Sequence, residues 1–164
     1  MQIFNNDIMD PLFYFLEQTK DIKQNKRYHP EIYVFIHSLQ TMYCAFRETN
    51  DTDLLLAAML HDIGKVVESH GHENIAVELL NDFCSVKTLW LIENHMRIWY
   101  LILGDMHKLS KVQKLVNHPW LMELVQLARF DKLGRNPRRN IIYDRDIIVD
   151  RLNFCAAKHF EREE

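Results

Sequence analysis

At residues 54–65 the sequence reads LLLAAMLHDIGK, an apolar run that ends in His61 and Asp62. The first seven of these residues carry no charge, which is typical of a helix buried on all sides. A buried carboxylate next to a buried imidazole is costly unless another group compensates them. Because both side chains are ordinary ligands of divalent cations, the run predicts a helix that brings two metal ligands into the interior.

Helical patterns follow one another along the rest of the chain with short breaks, and no alternating run is long enough to indicate a sheet. The 4 glycines and 4 prolines give few obligatory turns, which favours long helices. The sequence therefore predicts an all-α bundle of about six to eight helices around a buried metal site. The predicted helices cover about residues 11–24, 30–47, 52–64, 72–83, 86–95, 108–116, 119–134 and 144–160.

The composition is that of an ordinary globular domain, with 164 residues of which 48% are hydrophobic and 26% charged. This length predicts a single domain over residues 1–164. The formal net charge of −3 argues against a strong nucleic-acid-binding surface, but a local cationic pocket for a nucleotide is compatible with it. The sequence does not determine the oligomeric state, and a homo-oligomer is compatible with it.

Targeting signals are not apparent in the sequence. No basic segment followed by a long apolar stretch indicates a signal peptide, and no run reaches the ~20 apolar residues that cross a bilayer. Cys44, Cys84 and Cys155 are an odd number of cysteines without Cys-x-x-Cys spacing, which predicts reduced, buried thiols. These observations predict a cytoplasmic protein without a membrane partner.

Further histidines and aspartates on other predicted helices join the first two candidate ligands. His37 lies in a helix without Asp, Glu, Lys or Arg between residues 32 and 46, and Asp131 continues an apolar seam at helical spacing. A lone buried histidine is more often a hydrogen-bonded core residue than a ligand. Several such groups would each need a partner, whereas one metal cluster satisfies them all. The candidates are His37, His61, Asp62, His95, Asp131 and either His70 or His72.

The side-chain chemistry of these candidate ligands limits the choice of cofactor. Mixed His and Asp ligation without cysteine suits Mn, Fe, Co, Ni, Zn or Mg rather than a structural zinc finger. Asp62 has two carboxylate oxygens and can bridge two ions ~3.5–4 Å apart, an arrangement that clamps a phosphoryl group and activates water. The sequence therefore predicts one or two divalent metal ions of undetermined identity.

The order His37, His61-Asp62, Asp131 resembles the HD superfamily of metal-dependent phosphohydrolases. Within that superfamily the chain looks like the C-terminal HD domain of bacterial CCA-adding tRNA nucleotidyltransferases. The resemblance covers about residues 28–136, the motif-bearing core. Its blocks are His29-Pro30-Glu31, His61-Asp62-Ile63-Gly64-Lys65, Gly71-His72-Glu73 and Asp131-x-x-Gly134-Arg135.

This resemblance implies a helical HD domain that hydrolyses phosphoesters with divalent metal, as a phosphatase, a nucleotidase or a 2′,3′-cyclic phosphodiesterase. It assigns His37, His61, Asp62 and Asp131 to a core metal site. In dinuclear members, histidines at the positions of His72 and His95 complete a second site. His72 is preferred to His70 because it stands in the Gly-His-Glu block, and His70 and His107 are expected at the surface or behind the ligands.

The sequence departs from the CCA-adding family in two respects. No nucleotidyltransferase domain precedes the motifs, so terminal CCA addition is not expected. Asn74-Ile75-Ala76 follow the Gly-His-Glu block where the family usually has a glycine nearby. The second departure does not affect the candidate ligands, but it leaves the identity of the substrate undetermined.

We expect metal-activated water to hydrolyse a phosphoester or phosphoanhydride of a small nucleotide or an RNA-end phosphate. Asp62 would bridge the ions, Lys65 and Arg135 would hold phosphate oxygens, and Glu73 would act as general acid or base. The alternative for Lys65 is a solvated lysine after a helix stop, and Arg138 and Arg139, which extend the basic stretch, are more typical of a solvated surface. Aromatic residues near the motifs are more typical of a core, with base stacking as the alternative for Tyr28, Tyr33, Trp99, Tyr100 and Trp120.

Two other functions stay open at the level of the sequence. Some HD proteins use iron to oxidise organic substrates, so a di-iron HD oxygenase is one alternative. A non-catalytic nucleotide-binding HD protein that kept the ligands for folding is the other. Metal content with oxygen consumption separates the first from a hydrolase, and turnover of a phosphate substrate separates the second.

Overall fold

The all-α prediction is confirmed by the structure, a computed structural model that describes residues 3–161. In this range the chain forms eight α-helices, one 3-10 helix and no strand, and none of the helices has the length and hydropathy needed to cross a membrane. The α-helices are α1 (Asn6–Glu17), α2 (Val34–Phe46), α3 (Thr52–Leu60), α4 (His72–Leu80), α5 (Val86–Ile102), α6 (Leu109–Val116), α7 (Leu121–Leu133) and α8 (Arg145–Phe160).

Five of the other α-helices pack against α3, which has every residue from Leu54 to Leu60 buried. α3 contacts α2, α5 and α7, and those three also form the α2–α7 and α5–α7 contacts. α1 and α8 contact α3 and each other, and α4 packs on α5. Because α3 is apolar on all sides, it can be covered all round, and its C-terminal end then lies inside the bundle.

The first helix lies earlier in the chain than the sequence pattern predicted. α1 begins at Asn6 because the Asn5 side chain caps it, accepting a hydrogen bond from the Ile8 N–H at 3.1 Å. Pro11 therefore lies inside the helix instead of at its start. The helix ends at Glu17, and the following residues turn to pair Lys23 with Tyr33 in an isolated antiparallel bridge.

The predicted start of α2 at Pro30 is wrong by four residues. Residues 22–34 fold back on themselves, with hydrogen bonds from the Gln24 N–H to the Ile32 carbonyl (2.7 Å) and from the Val34 N–H to the Ile22 carbonyl (2.9 Å). Ile32 has a φ of 74°, a strained conformation for a β-branched residue. This turn replaces the first helical turn and buries the Glu31 side chain completely.

The α3 helix ends at Leu60, and Gly64 does not stop it as predicted. Gly64 lies within the 3-10 helix Ile63–Val66, where a Cβ atom would overlap the backbone carbonyl oxygen of His72. The glycine is therefore required for the close approach of this turn to the start of α4. The approach sets the position of His72 relative to His61.

The α5 helix continues to Ile102, almost two turns beyond the predicted end at His95. It ends where Gly104 adopts a φ of 78° and the Asp105 N–H donates to the Tyr100 carbonyl at 2.8 Å, a Schellman motif. The α4 helix ends three residues earlier than predicted, and the predicted bounds of α6, α7 and α8 are confirmed within two residues.

The three cysteines form no disulfide in the described chain. Cys155 is buried, but Cys44 and Cys84 are only half-buried, so the prediction of three buried thiols is wrong for two of them. Burial raises the pKa of all three thiols, and that of Cys84 to about 12. The thiols are therefore protonated near neutral pH and unsuited to act as nucleophiles.

We predict that Gly64→Ala lowers the free energy of unfolding by about 3 kcal/mol, because the new Cβ pushes against backbone that cannot rotate away. Gly104→Ala is the matched control, since its surroundings are open and only the left-handed backbone costs about 1–2 kcal/mol. Urea unfolding followed by circular dichroism measures both. Equal losses in the two variants would contradict a close approach at Gly64.

Candidate metal centre

Four of the candidate ligands converge in the interior from three helices. His37 comes from the middle of α2, His61 and Asp62 follow the end of α3, and Asp131 lies near the end of α7. The His37 Nε2 atom lies 3.3 Å from His61 Nε2 and 3.0 Å from Asp131 Oδ1. Asp62 Oδ2 lies 3.5 Å from His61 Nε2 and 3.7 Å from His37 Nε2. We call this group the first subsite.

A second group forms on the other oxygen of the same aspartate. Asp62 Oδ1 lies 2.9 Å from His72 Nε2 and 3.6 Å from His95 Nε2, and the two histidine nitrogens are 3.1 Å apart. His72 is the first residue of α4 and His95 belongs to α5. We call this group the second subsite. The structure thus brings six predicted ligands together, with Asp62 shared between two subsites.

The hydrogen bonds of the four imidazoles define which ring nitrogen carries the proton. Each Nδ1 atom lies beside a backbone carbonyl, which can only accept a hydrogen bond: His37 beside Gly134 (3.0 Å), His61 beside Ala58 (3.0 Å), His72 beside Ser69 (2.8 Å) and His95 beside Ile92 (2.6 Å). Each Nδ1 therefore donates. In the neutral rings, every Nε2 atom then presents a lone pair to the centre.

This arrangement fits divalent metal ions. Two pairs of Nε2 lone pairs face each other at 3.3 and 3.1 Å, and two buried carboxylates lie among them. Acceptors cannot hydrogen-bond to acceptors, so the centre needs a cation or protons to compensate it. Oxygen and imidazole donors held by outer hydrogen bonds are the usual surroundings of such ions. The His/Asp cluster could therefore hold divalent metal, since the ligand atoms of His37, His61 and Asp131, and likewise those of His61, Asp62 and His95, lie within 4.8 Å of one another.

The pKa values show how the same centre holds a proton when no metal is bound. Burial lowers the pKa of His37, but hydrogen bonds to Asp131 and Glu31 outweigh it and raise this pKa to about 10. Burial lowers the pKa of His61 to about 3. His37 therefore holds a proton more strongly than His61, and a divalent ion bound at Nε2 of His37 would compete with that proton.

Glu31 supports His37 from behind the centre. Its Oε1 atom lies 2.9 Å from Nδ1 of His37 and 2.9 Å from Nδ1 of His29. Burial of Glu31 opposes ionisation, but the hydrogen bonds from His29 and His37 outweigh it and lower the pKa of the carboxyl to about 2. A charged carboxylate on Nδ1 fixes the tautomer of a histidine and strengthens its Nε2 as a ligand.

Sequence reasoning missed the supporting roles of Glu31 and Trp99. Trp99 Nε1 donates to Asp131 Oδ2 at 3.1 Å, so Asp131 presents its other oxygen to the centre. The signal for Trp99 was its position one turn after His95, but the helix was predicted to end before it. The signal for Glu31 was a lone carboxylate directly before an uncharged helix. Nothing in the pattern indicated that a strained turn would bury it.

The two predicted phosphate-binding residues lie at the edge of the first subsite. Lys65 Nζ donates to Asp62 Oδ2 at 2.8 Å and to Gln24 Oε1 at 2.7 Å. Arg135 Nη2 lies 3.6 Å from Asp131 Oδ1, and the side chain is 30% exposed. Arg135 Nε is buried without a hydrogen-bond partner among the described residues. Both cations are therefore within reach of a ligand bound to the first subsite.

The other predicted residues lie outside the centre. Glu73 Oε2 lies 3.8 Å from Nδ1 of His72, whereas the other ring nitrogen of His72, Nε2, faces Asp62. This position does not favour the predicted general acid or base role, which stays a prediction. His70 and His107 are exposed, whereas His72 is buried in the second subsite. The preference for His72 over His70 agrees with this placement.

Comparison with known proteins identifies a family. The model of the family described as the HD domain matches residues 34–151, a range that contains all six candidate ligands. The resemblance stated from the motifs is thereby confirmed, and the matched range extends beyond the predicted core at residue 136.

Three curated relatives that match the chain are each described as a multifunctional CCA protein. That of Thioalkalivibrio sulfidiphilus is 34% identical over 80 residues, which is 44% of this chain and 20% of the relative. That of Methylococcus capsulatus is 36% identical over 80 residues, 44% and 19% of the two chains. That of Cupriavidus pinatubonensis is 34% identical over 76 residues, 42% and 18%. The alignments with these relatives span about a fifth of their length.

We predict that Glu31→Gln weakens metal binding about 10- to 100-fold, because the amide cannot supply the negative charge behind His37. Metal-stripped protein is titrated with Mn²⁺ while its Tm is followed. A concentration 100 times Kd should stabilise the wild-type protein by about 2.7 kcal/mol.

Glu48→Gln is the matched control for this prediction, since its carboxylate pairs with Arg129 at the surface. It should respond to Mn²⁺ as the wild-type protein does. If Glu31→Gln needs no more Mn²⁺ than the control for the same rise in Tm, Glu31 does not support the ligand.

Proposed function

The chain belongs to the HD domain family, and we propose that it is a metal-dependent phosphohydrolase that cleaves a phosphoester or phosphoanhydride of a nucleotide. The observation that carries this proposal is the pair of subsites that share the Asp62 carboxylate. A carboxylate shared in this way would allow two divalent ions, held by the two subsites, to act on one phosphoryl group. The proposed substrate is a small nucleotide or a phosphate at an RNA end.

The ligands divide between the two subsites as their geometry suggests. His37, His61 and Asp131 would hold one ion with Oδ2 of Asp62, and His72 and His95 the other with Oδ1. Divalent ions held there supply activation of a water molecule and neutralise charge on the phosphoryl oxygens. The protein holds the imidazoles and carboxylates in fixed directions through backbone carbonyls, Glu31 and Trp99.

Two side chains at the edge of the first subsite would bind the phosphoryl group itself. Lys65 lies beside Asp62 Oδ2, and a lysine in such a place binds phosphate oxygens as a point charge. Arg135 lies beside Asp131 and can present its guanidinium to a second oxygen. Together they would compensate negative charge that builds up on the phosphoryl group during cleavage.

We predict that Asp62→Asn abolishes hydrolysis, because one neutral amide replaces the carboxylate that both subsites share. Metal-stripped protein is supplied in turn with Mn, Co, Ni, Zn, Mg and Fe. The substrates are nucleoside mono- and triphosphates, 2′,3′-cyclic nucleotides, a short RNA with a terminal phosphate and an aryl phosphate. Released phosphate or newly formed phosphomonoester is measured.

Two outcomes of this screen would contradict the proposal. The absence of hydrolysis with every metal and substrate would remove the phosphohydrolase function. Oxygen consumption by protein containing two irons would instead favour the oxygenase alternative. Asp53→Asn serves as the control for Asp62→Asn, since Asp53 accepts hydrogen bonds from Thr88 and Ser85 away from the centre.

We predict a second effect at Lys65, where Lys65→Met should lower kcat/KM about 100-fold through the loss of a charge on the phosphoryl group. Affinity for Mn²⁺ should stay the same or rise, because Asp62 loses a competing cation. Lys87→Met is the control, a partly buried lysine that pairs with Asp51 and Glu123 elsewhere. Unchanged kcat/KM with raised metal affinity would show that Lys65 only neutralises Asp62.

A further inference from the structure

A cavity of about 740 Å³ lies beside the second subsite, between α5, α6 and the start of α4. Two of its lining residues, Glu73 and Asn94, are chain neighbours of the candidate ligands His72 and His95. The volume lies within the range of small-molecule sites in proteins, roughly 300–1,000 Å³. The cavity thus adjoins the second subsite through two residues that are next to its ligands in the sequence, while no candidate ligand is among the residues that line it.

One wall of the cavity is an aromatic and polar face of α5. Trp90, Asn94, Arg97 and Tyr100 lie along it at helical spacing. Asn94 Nδ2 donates to the Trp90 carbonyl at 2.8 Å, and Arg97 Nη1 donates to Asn94 Oδ1 at 3.0 Å, so this face is held in place. Tyr100 is 47% exposed, which leaves its ring accessible. Such a face suits a flat aromatic group.

The indole of Trp90 is held by a second ring. His118, which also lines the cavity, stacks on Trp90 with ring centroids 3.7 Å apart and an interplanar angle of 12°. Trp120 meets the Trp90 ring edge-on at 5.8 Å. The indole is therefore fixed in direction before any ligand binds, which reduces the entropy lost on binding.

The opposite wall is cationic. Lys111 and Lys114 line the cavity from α6 together with Lys108, which directly precedes this helix, and none of the three forms an ion pair within residues 3–161. The carboxylates that line the cavity, of Glu73, Glu93 and Asp105, come from outside this helix. With Arg97, the lining holds four cationic side chains against three carboxylates, and the lysines present positive charge that no ion pair among the described residues engages.

We propose that this cavity binds the nucleotide unit of the substrate, with the base against Trp90 and Tyr100 and additional phosphate groups against Lys111 and Lys114. The position of the reacting phosphoryl group at the neighbouring centre rests on the proposed hydrolase function. The nucleotide unit can come from a free nucleoside triphosphate or from the end of an RNA. Both sources share an aromatic base and more than one negative charge.

Binding is tested by isothermal titration of the full chain supplied with Mn²⁺. The probes are a non-hydrolysable methylene-bridged analogue of ATP, adenosine, and a short RNA with a terminal phosphorothioate. Lys111→Ala/Lys114→Ala should bind the analogue about tenfold more weakly, as should Tyr100→Ala, because charge and stacking are lost separately. Lys158→Ala on α8, which pairs with Glu161, should bind as the wild-type chain does.

The titrations also distinguish a free nucleotide from an RNA end as the ligand, and they test whether charge contributes to binding. Tighter binding of the RNA than of the analogue, weakened by the lysine substitutions, identifies an RNA end as the ligand. The reverse order identifies a free nucleotide. Equal affinities for adenosine and the analogue, or variants that bind like the Lys158→Ala control, would overturn the proposal.

Kinetics distinguish a failure of the cavity from a failure of the hydrolase function. In the lysine double variant, KM for the nucleotide should rise about tenfold more than KM for an aryl phosphate, which is too small to span the cavity. Equal changes in the two KM values would overturn the cavity as a substrate site while hydrolysis stands. Weakened nucleotide binding in a chain without any hydrolysis would overturn the function and leave the binding site.

Discussion

Four imidazole nitrogens with lone pairs face one another around the carboxylate of Asp62, and the rest of the bundle holds them there. Such an arrangement of buried acceptors is unfavourable without a positive charge at its centre. With a proton on His37, only part of the repulsion is relieved. Divalent metal held there would satisfy all of the acceptors at once, so its binding would be coupled to the stability of the fold.

The direction of the ligands follows from local backbone geometry. His61, His72 and His95 each donate from Nδ1 to the carbonyl three residues earlier, so each ring is fixed by its own turn of chain. His37 depends on a distant carbonyl, that of Gly134 at the end of α7. A side chain on Gly134 would overlap Thr41 of α2, so this contact requires a glycine. The first subsite therefore depends on α2–α7 packing more than the second does.

The parts of the centre that could be predicted are those that follow from helical periodicity in the sequence. The uncharged run at residues 54–60 of α3, followed directly by His61 and Asp62, and an aspartate on the inner face of α7 place ligands in the interior. The parts that were not predictable depend on irregular backbone. Glu31 reaches His37 through the left-handed turn at Ile32, and Gly64 serves a close approach where the pattern suggested a helix end. Neither the turn at Ile32 nor the close approach at Gly64 leaves a periodic pattern in the sequence.

The continuation of α5 beyond His95 joins the chemistry of the centre to the recognition of a ligand. One face of this added segment brings Trp99 to Asp131. Another face brings Arg97 and Tyr100 to the cavity beside α6. Because both faces belong to one helix, a ligand bound in the cavity would be held at a fixed position relative to Asp131. Under the proposed function, the centre would supply the chemistry of the reaction, while residues of the extended helix and α6 would select the substrate.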